Sequence, residues 1–313
     1  MKFDAVFEGG GVKGLALAGA LAEMEDAGYE VENAVGTSAG AILAALSVAG
    51  YKAEDIRRII ADTPFGRFKD KSVIDCLPVI GPLASILFSK GLYEGDFFYG
   101  WMKDLLEHAP GGPVRTFGDL RKDDPVNPNA HYRLQVVATD ITRRQMLILP
   151  AAISSYGEKN PDDLEIALAV RMSMSIPYFF EPVELEGSLI CDGGVLSNFP
   201  VGILDTPRGR RPRWPTFGFL LCSAKDSRPN RICGPLTYFI ALFQTMLDAR
   251  DELDRMKAAD FVRTIPIWAE GVSATDFSLT QAQREALYQA GRRAVGEFLR
   301  CWDWQEYVRD WRQ

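Results

Sequence analysis

The chain has 313 residues, with 35 basic side chains against 42 acidic ones and a formal net charge of −7, enough length to bury a large core as one α/β domain or two modest ones. Such an acidic balance offers no global basic field, which argues against nucleic acid as a partner. Five scattered cysteines without a C-x-x-C pair argue against a disulfide framework and a zinc site alike.

Residues 3–7 predict a short buried strand, and Leu17, Leu21 and Met24 then recur at helical spacing until Gly28 offers a C-terminal cap. A second strand over 31–35 leads into a helix of small residues over 39–49, ended by Gly50. Residues 64–92 interrupt this rhythm with proline and glycine bends around apolar stretches, and are read as an insertion or cap over the sheet. Within them, 73–88 is apolar but broken by Pro78, Gly81 and Pro82, which suits an interfacial or substrate-covering element better than a spanning helix. A helix is expected over 97–107, strands over 132–139 and 146–149, and a helix over 164–175 stopped before Pro177. Short strands over 183–185 and 189–191 lead to Asp192-Gly193-Gly194; a basic loop at 208–213, a strand over 216–222, a long helix over 236–256, a strand over 261–267 and a closing helix over 281–299 follow. Trp304, Tyr307 and Trp311 share one helical face suited to core or subunit packing, or else to a membrane interface.

Strands alternating with helices imply a mainly parallel sheet with ligand sites beyond the carboxyl ends of its strands. Two glycine-rich turns sit at such positions. Gly36-Thr37-Ser38-Ala39-Gly40 has the form of a nucleophile elbow, in which small flanking residues let the backbone bend sharply and expose a serine hydroxyl at a helix N-terminus. Gly9-Gly10-Gly11-Val12-Lys13-Gly14 could supply backbone N–H donors to an oxyanion, joined by that of Ala39. The same turn also satisfies a dinucleotide-binding fingerprint, with Glu30 and Glu32 about 20 residues on. It is no phosphate-cradling P-loop, since Lys13 is followed by Gly14 where that motif needs Ser or Thr.

A serine nucleophile needs a base. The two histidines, His108 and His131, both precede the remaining candidate element, and no histidine follows in the order that α/β-hydrolases use. A carboxylate is the alternative, and Asp192 suits it by ending a buried strand ahead of two glycines that leave its carboxylate unobstructed. Asp-Gly-Gly is also an ordinary turn, and an aspartate near its usual pKa of about 3.9 is a feeble base.

At this constellation the sequence resembles the patatin-like phospholipases. Residues 9–14 match their oxyanion turn, 36–40 their elbow and 192–194 the turn of their dyad aspartate, in the family's order. Further echoes are Ala138-Thr139-Asp140, Ser175-Ile176-Pro177, residues 195–200 and the closing helix with Gly291 and Phe298. The resemblance implies a single patatin-like domain over 1–313, built as a three-layer α/β/α sandwich on a central, mainly parallel sheet. It implies Ser38 as nucleophile, Asp192 as base, and Gly9, Gly10 and Gly11 as oxyanion donors, with no metal or organic cofactor. Glu8 stands where the family frequently has aspartate, and Lys13 where arginine is common. The expected activity is lipid acyl hydrolysis on phospholipids, with a lipid substrate and peripheral membrane contact as the partners, a cytoplasmic setting suggested by the start of the chain, and the oligomeric state open. A dinucleotide-binding enzyme remains the first alternative; a membrane-damaging effector activated by a partner or ligand is the second.

Overall fold

The computed structural model describes residues 1–63, 91–122, 124–222, 258–272 and 279–312, with isolated positions between 232 and 245. The proposed cap, its segment 73–88 and most of the helix expected over 236–256 lie outside the described residues, as do Cys76 and Cys233.

The chain opens with β1 (Lys2–Phe7), α1 (Gly14–Asp26), β2 (Glu30–Thr37), α2 (Ala39–Val48) and α3 (Ala53–Asp62). Then come β3 (Gly91–Tyr93), α4 (Asp96–Glu107), β4 (Leu134–Asp140), β5 (Gln145–Leu149), α5 (Ile166–Ser173), β6 (Tyr178–Phe180), β7 (Val183–Leu185) and β8 (Ser188–Asp192). Finally β9 (Thr216–Cys222), α6 (Ala258–Phe261), β10 (Thr264–Trp268), α7 (Gln281–Leu299) and α8 (Trp304–Trp311) complete the described elements. Most predicted elements recur within a few residues. Three features were not foreseen: α3; the two-stranded sheet of β3 and β6; and a helical turn at Phe261, where a strand was expected to begin.

The large sheet runs β10-β9-β1-β2-β4-β8-β7, with β5 pairing β4. The five strands from β10 to β4 are parallel, and β5, β8 and β7 are antiparallel additions, giving the expected α/β sandwich on a mainly parallel sheet. Alternation along β1 and β9 sorts the two faces. Phe3, Ala5, Phe7, Phe217, Phe219 and Leu221 enter the larger core with α1, α2, α5 and α7, whereas Val6, Val35, Val137, Leu220 and Cys222 pack beneath Phe199, Val201 and Leu204 on the other face. α1 is buried along most of its length because it lies between the sheet and α7. Gly19 and Gly291 make that approach possible, since a Cβ at either would sit 1.9 Å from a carbonyl oxygen of the facing helix.

β2 pairs β4 through residues 134–137 and β8 pairs it through 138–140, while β5 runs along 136–140. A strand has two edges, and β5 holds one of them throughout its stretch. β2 and β8 must therefore share the other, their carboxyl ends meeting head to head. This junction brings the two predicted catalytic turns together.

Candidate active site

Ser38 stands between β2 and α2 with φ 53° and ψ −125°, a conformation forced on a non-glycine residue by its surroundings. The glycines of the elbow permit it. A Cβ on Gly36 would lie 2.2 Å from the Gly40 carbonyl, and one on Gly40 would lie 2.3 Å from that of Phe7. The Ser38 N–H donates to Ser173 Oγ at 2.8 Å, and that hydroxyl donates to the Val137 carbonyl at 2.6 Å, which pins the turn to β4 and to the end of α5. Ser38 Oγ itself lies 3.6 Å from Met174 Sδ.

Asp192 closes β8 and caps the turn that follows. Its Oδ1 accepts the Gly194 N–H at 2.8 Å, while Oδ2 is buried with no hydrogen-bond partner. Burial pushes the carboxyl pKa up to about 6, partly offset by the Ser38 hydroxyl beside it and by the Gly194 N–H. Desolvation thus lifts this carboxyl well above the ordinary aspartate value of about 3.9 that makes for a feeble base. Gly193 has no room for a side chain, because its Cβ would sit 2.3 Å from the Val137 carbonyl oxygen and 2.9 Å from Thr37 Cγ2. This contact sets Asp192 against the end of β2.

The first glycine turn reaches the same place. A Cβ on Gly9 would lie 3.1 Å from Ser38 Cβ, and Gly11 adopts φ 54°, where glycine is favoured. The Gly9 N–H is engaged with the Asn198 carbonyl at 3.3 Å, so of the four expected oxyanion donors it is the one already used. Those of Gly10, Gly11 and Ala39 have no acceptor among the described residues. Asn198 also donates to Glu8 Oε1 at 3.0 Å and to the Gly9 carbonyl at 3.2 Å, and the other oxygen of Glu8 accepts the Leu221 N–H. Glu8 and Asn198 therefore clamp the glycine turn between β9 and the segment after Asp192. Sequence reasoning noted Glu8 only as a departure and missed the contacts of Ser173, Met174 and Asn198, although residues 195–200 were singled out.

The remaining candidates lie elsewhere. His131 precedes β4 and so stands at the amino end of the sheet, its ring edge-on to Tyr132 at 5.1 Å. His108 caps α4, and its carbonyl accepts the Tyr51 hydroxyl beyond the far end of α2. Glu30 and Glu32 open β2, and Glu32 pairs with Lys2 and Lys122 at the end opposite the glycine turn. A dinucleotide fingerprint needs its acid near the same end as the glycines to reach the ribose, so that reading lacks its second element. Arg210 is bound to the carbonyls of Pro125 and Val126, Arg211 to Gln305, and Arg213 to Asp124; this basic loop precedes β9 and lies away from Ser38. Tyr307 is buried against Trp302 and Trp304, which favours packing for most of that aromatic face. Among the described residues no helix is long and apolar enough to cross a membrane.

Residues 5–205 match the family described as patatin-like phospholipase. The chain belongs to the patatin-like phospholipase family. It is 40% identical over 311 residues to the uncharacterized protein YqhO of Bacillus subtilis, covering 96% of this chain and 99% of that one. It is also 24% identical over 213 residues to the probable lipid hydrolase 463L of invertebrate iridescent virus 6, covering 63% and 61% of the two. The patatin-like fold recurs in VipD from Legionella pneumophila, with a TM-score of 0.57 at 19% identity over 95% of this chain and 66% of VipD. The type III effector ExoU gives 0.50 at 16% identity over 97% of this chain and 53% of ExoU. The chain thus spans just under two thirds of VipD and about half of ExoU.

Proposed function

We propose that this patatin-like protein is a serine acyl hydrolase of phospholipids or related acyl-ester lipids, acting through Ser38 and Asp192. The observation that carries the reading is the buried, unpartnered Asp192 Oδ2 beside an elbow serine. Ser38 Oγ turns from Met174 Sδ towards that oxygen, gives up its proton to it, and attacks the ester carbonyl carbon. The negative charge that develops on the carbonyl oxygen is held by the N–H groups of Gly10, Gly11 and Ala39, the last at the N-terminus of α2. When the tetrahedral intermediate collapses, the ester C–O bond breaks and the proton on Asp192 passes to the leaving alcohol. Water, deprotonated by the same carboxylate, then cleaves the acyl-enzyme and releases the fatty acid, returning the proton to Ser38. Gly9 contributes close packing to this arrangement, since its own N–H is spent on Asn198.

A serine-directed fluorophosphonate should label the wild-type protein at Ser38 and leave Ser38→Ala unlabelled, with fatty-acid release from phospholipid vesicles lost in parallel. Labelling at another residue, or vesicle hydrolysis that survives Ser38→Ala, would reject the assignment.

A further inference from the structure

The hairpin joining β4 to β5 projects beyond the site. Thr37 is level with Val137 and Asp192 with Ala138 on β4, so residues 141–144 stand roughly 10 Å past that level at strand spacing. Within six residues the tip presents Ile141 at 45% exposure and Met146 at 40%, with Arg143 and Arg144 exposed between them. The tip is firmly based. Asp140 accepts the Arg143 N–H at 2.8 Å and the Tyr156 hydroxyl, and the Arg143 guanidinium stacks on the Tyr156 ring at 4.1 Å while donating to the Ser155 carbonyl. Arg143 also pairs through Nε with Asp140 at 3.7 Å, whereas Arg144 occupies the apex with φ 58° and has no ion-pair partner among the described residues. The adjacent acid on the β7–β8 turn, Glu186, is paired with Lys159 at 3.0 Å. On the other flank of the site, Trp268 ends β10 on the same side of the sheet at 53% exposure.

Two large apolar side chains enclosing two arginines form a local exception on a chain of net charge −7. Apolar side chains with adjacent cations suit the boundary between anionic headgroups and acyl chains, where the negative surface potential attracts each basic residue. We propose that the β4–β5 hairpin docks the protein on an anionic phospholipid surface, with Ile141 and Met146 entering the interface, Arg144 against lipid phosphates, Arg143 bracing the tip on Asp140 and Tyr156, and the end of the sheet that carries Ser38 turned to the membrane. This rests on the lipid-hydrolase reading for its purpose. Its test does not rest on turnover.

Sedimentation with vesicles of phosphatidylcholine containing 30% phosphatidylglycerol, and of phosphatidylcholine alone, is measured on the full chain carrying Ser38→Ala, so that binding is scored without catalysis. The Ile141→Asp, Met146→Asp pair should weaken partition onto the anionic vesicles at least tenfold, and Arg144→Glu severalfold with a shallower salt dependence. Both sets, returned to the wild-type Ser38 background, should keep their melting temperature and turn over a short p-nitrophenyl ester within about twofold of wild type. Unchanged partition in the folded pair variant overturns the proposal, as does equal binding to the two vesicle types. Should Arg144→Glu alone remain folded, its loss of anionic binding decides the case. If instead the hydrolase reading is at fault, soluble ester turnover is absent from the start while the partition differences persist.

Discussion

Two aspartates buried at opposite ends of the sheet share an electrostatic condition and differ in every other respect. Asp4 lies in β1 towards its amino end, where Asn33 Nδ2 and Trp214 Nε1 both donate to Oδ1 at 2.7 Å, and burial pushes its pKa up to about 7. Asp192, at about 6, has one backbone N–H, a bare Oδ2 and a strained serine for company. A raised pKa therefore records burial at both ends. What singles out Asp192 is an unpaired oxygen beside the Ser38 hydroxyl, the pairing on which the proposed proton transfer rests.

The sharpest test of this contrast is activity. Asp192→Asn and Ser38→Ala should each lower phospholipid hydrolysis at least about a thousandfold, and the double variant little further, because the pair acts as a unit. Asp4→Asn should stay within a few-fold of wild type. Comparable losses from Asp4→Asn and Asp192→Asn, measured as kcat/KM on folded protein, would erase the distinction.

Packing supplies the next largest effect. Gly193→Ala pushes a methyl against the Val137 backbone, whereas at Gly10 the added carbon meets only Leu221 Cδ1, the end of a side chain that can turn aside. Gly193→Ala should lower the melting temperature by several degrees and turnover at least tenfold, with Gly10→Ala milder in stability. Thermal scans of the two variants side by side check the order.

The pH dependence is smaller and carries a definite sign. Because the folded pKa of Asp192 rises from 3.8 to about 6, the folded state favours the protonated acid. Its contribution to stability is fully present below about 3.8 and is lost as pH climbs through about 6, a cost of about 3 kcal/mol at neutral pH. Asp4, shifted from 3.8 to about 7, costs about 4 kcal/mol by the same reasoning, lost over a window that extends one unit higher. Asp192→Asn and Asp4→Asn should both raise the melting temperature at pH 8 and converge on wild type near pH 4. Only catalysis separates them, since the wild-type rate should climb with pH through about 6 as Asp192 ionises. The smallest expected effect is that of His108→Asn with His131→Asn, which should leave ester turnover within about twofold; a large loss at an unchanged melting temperature would point to an imidazole base.

Much of the site was legible because its constraints are local. Gly36, Ser38 and Gly40 specify an elbow wherever a strand meets a helix, since the tight backbone approach admits no side chain. Gly11 likewise announces its positive φ. The dinucleotide alternative was equally legible and did not hold, because spacing along the chain cannot say at which end of a strand Glu32 will stand. Ser173 and Asn198 escaped notice for a related reason: each is an ordinary polar residue whose value lies in a partner 135 or 190 positions away.

The sequence by itself determined the alternation of strands and helices, the two glycine turns and the absence of a histidine after Asp192, all of which follow from side-chain size, periodicity and order. Only the tertiary structure decided that β8 runs antiparallel into the end of β2 along one edge of β4. That junction buries Asp192 beside Ser38 and raises its pKa; desolvation is a property of what surrounds a group, and the surroundings here come from strands more than 150 residues apart in the chain.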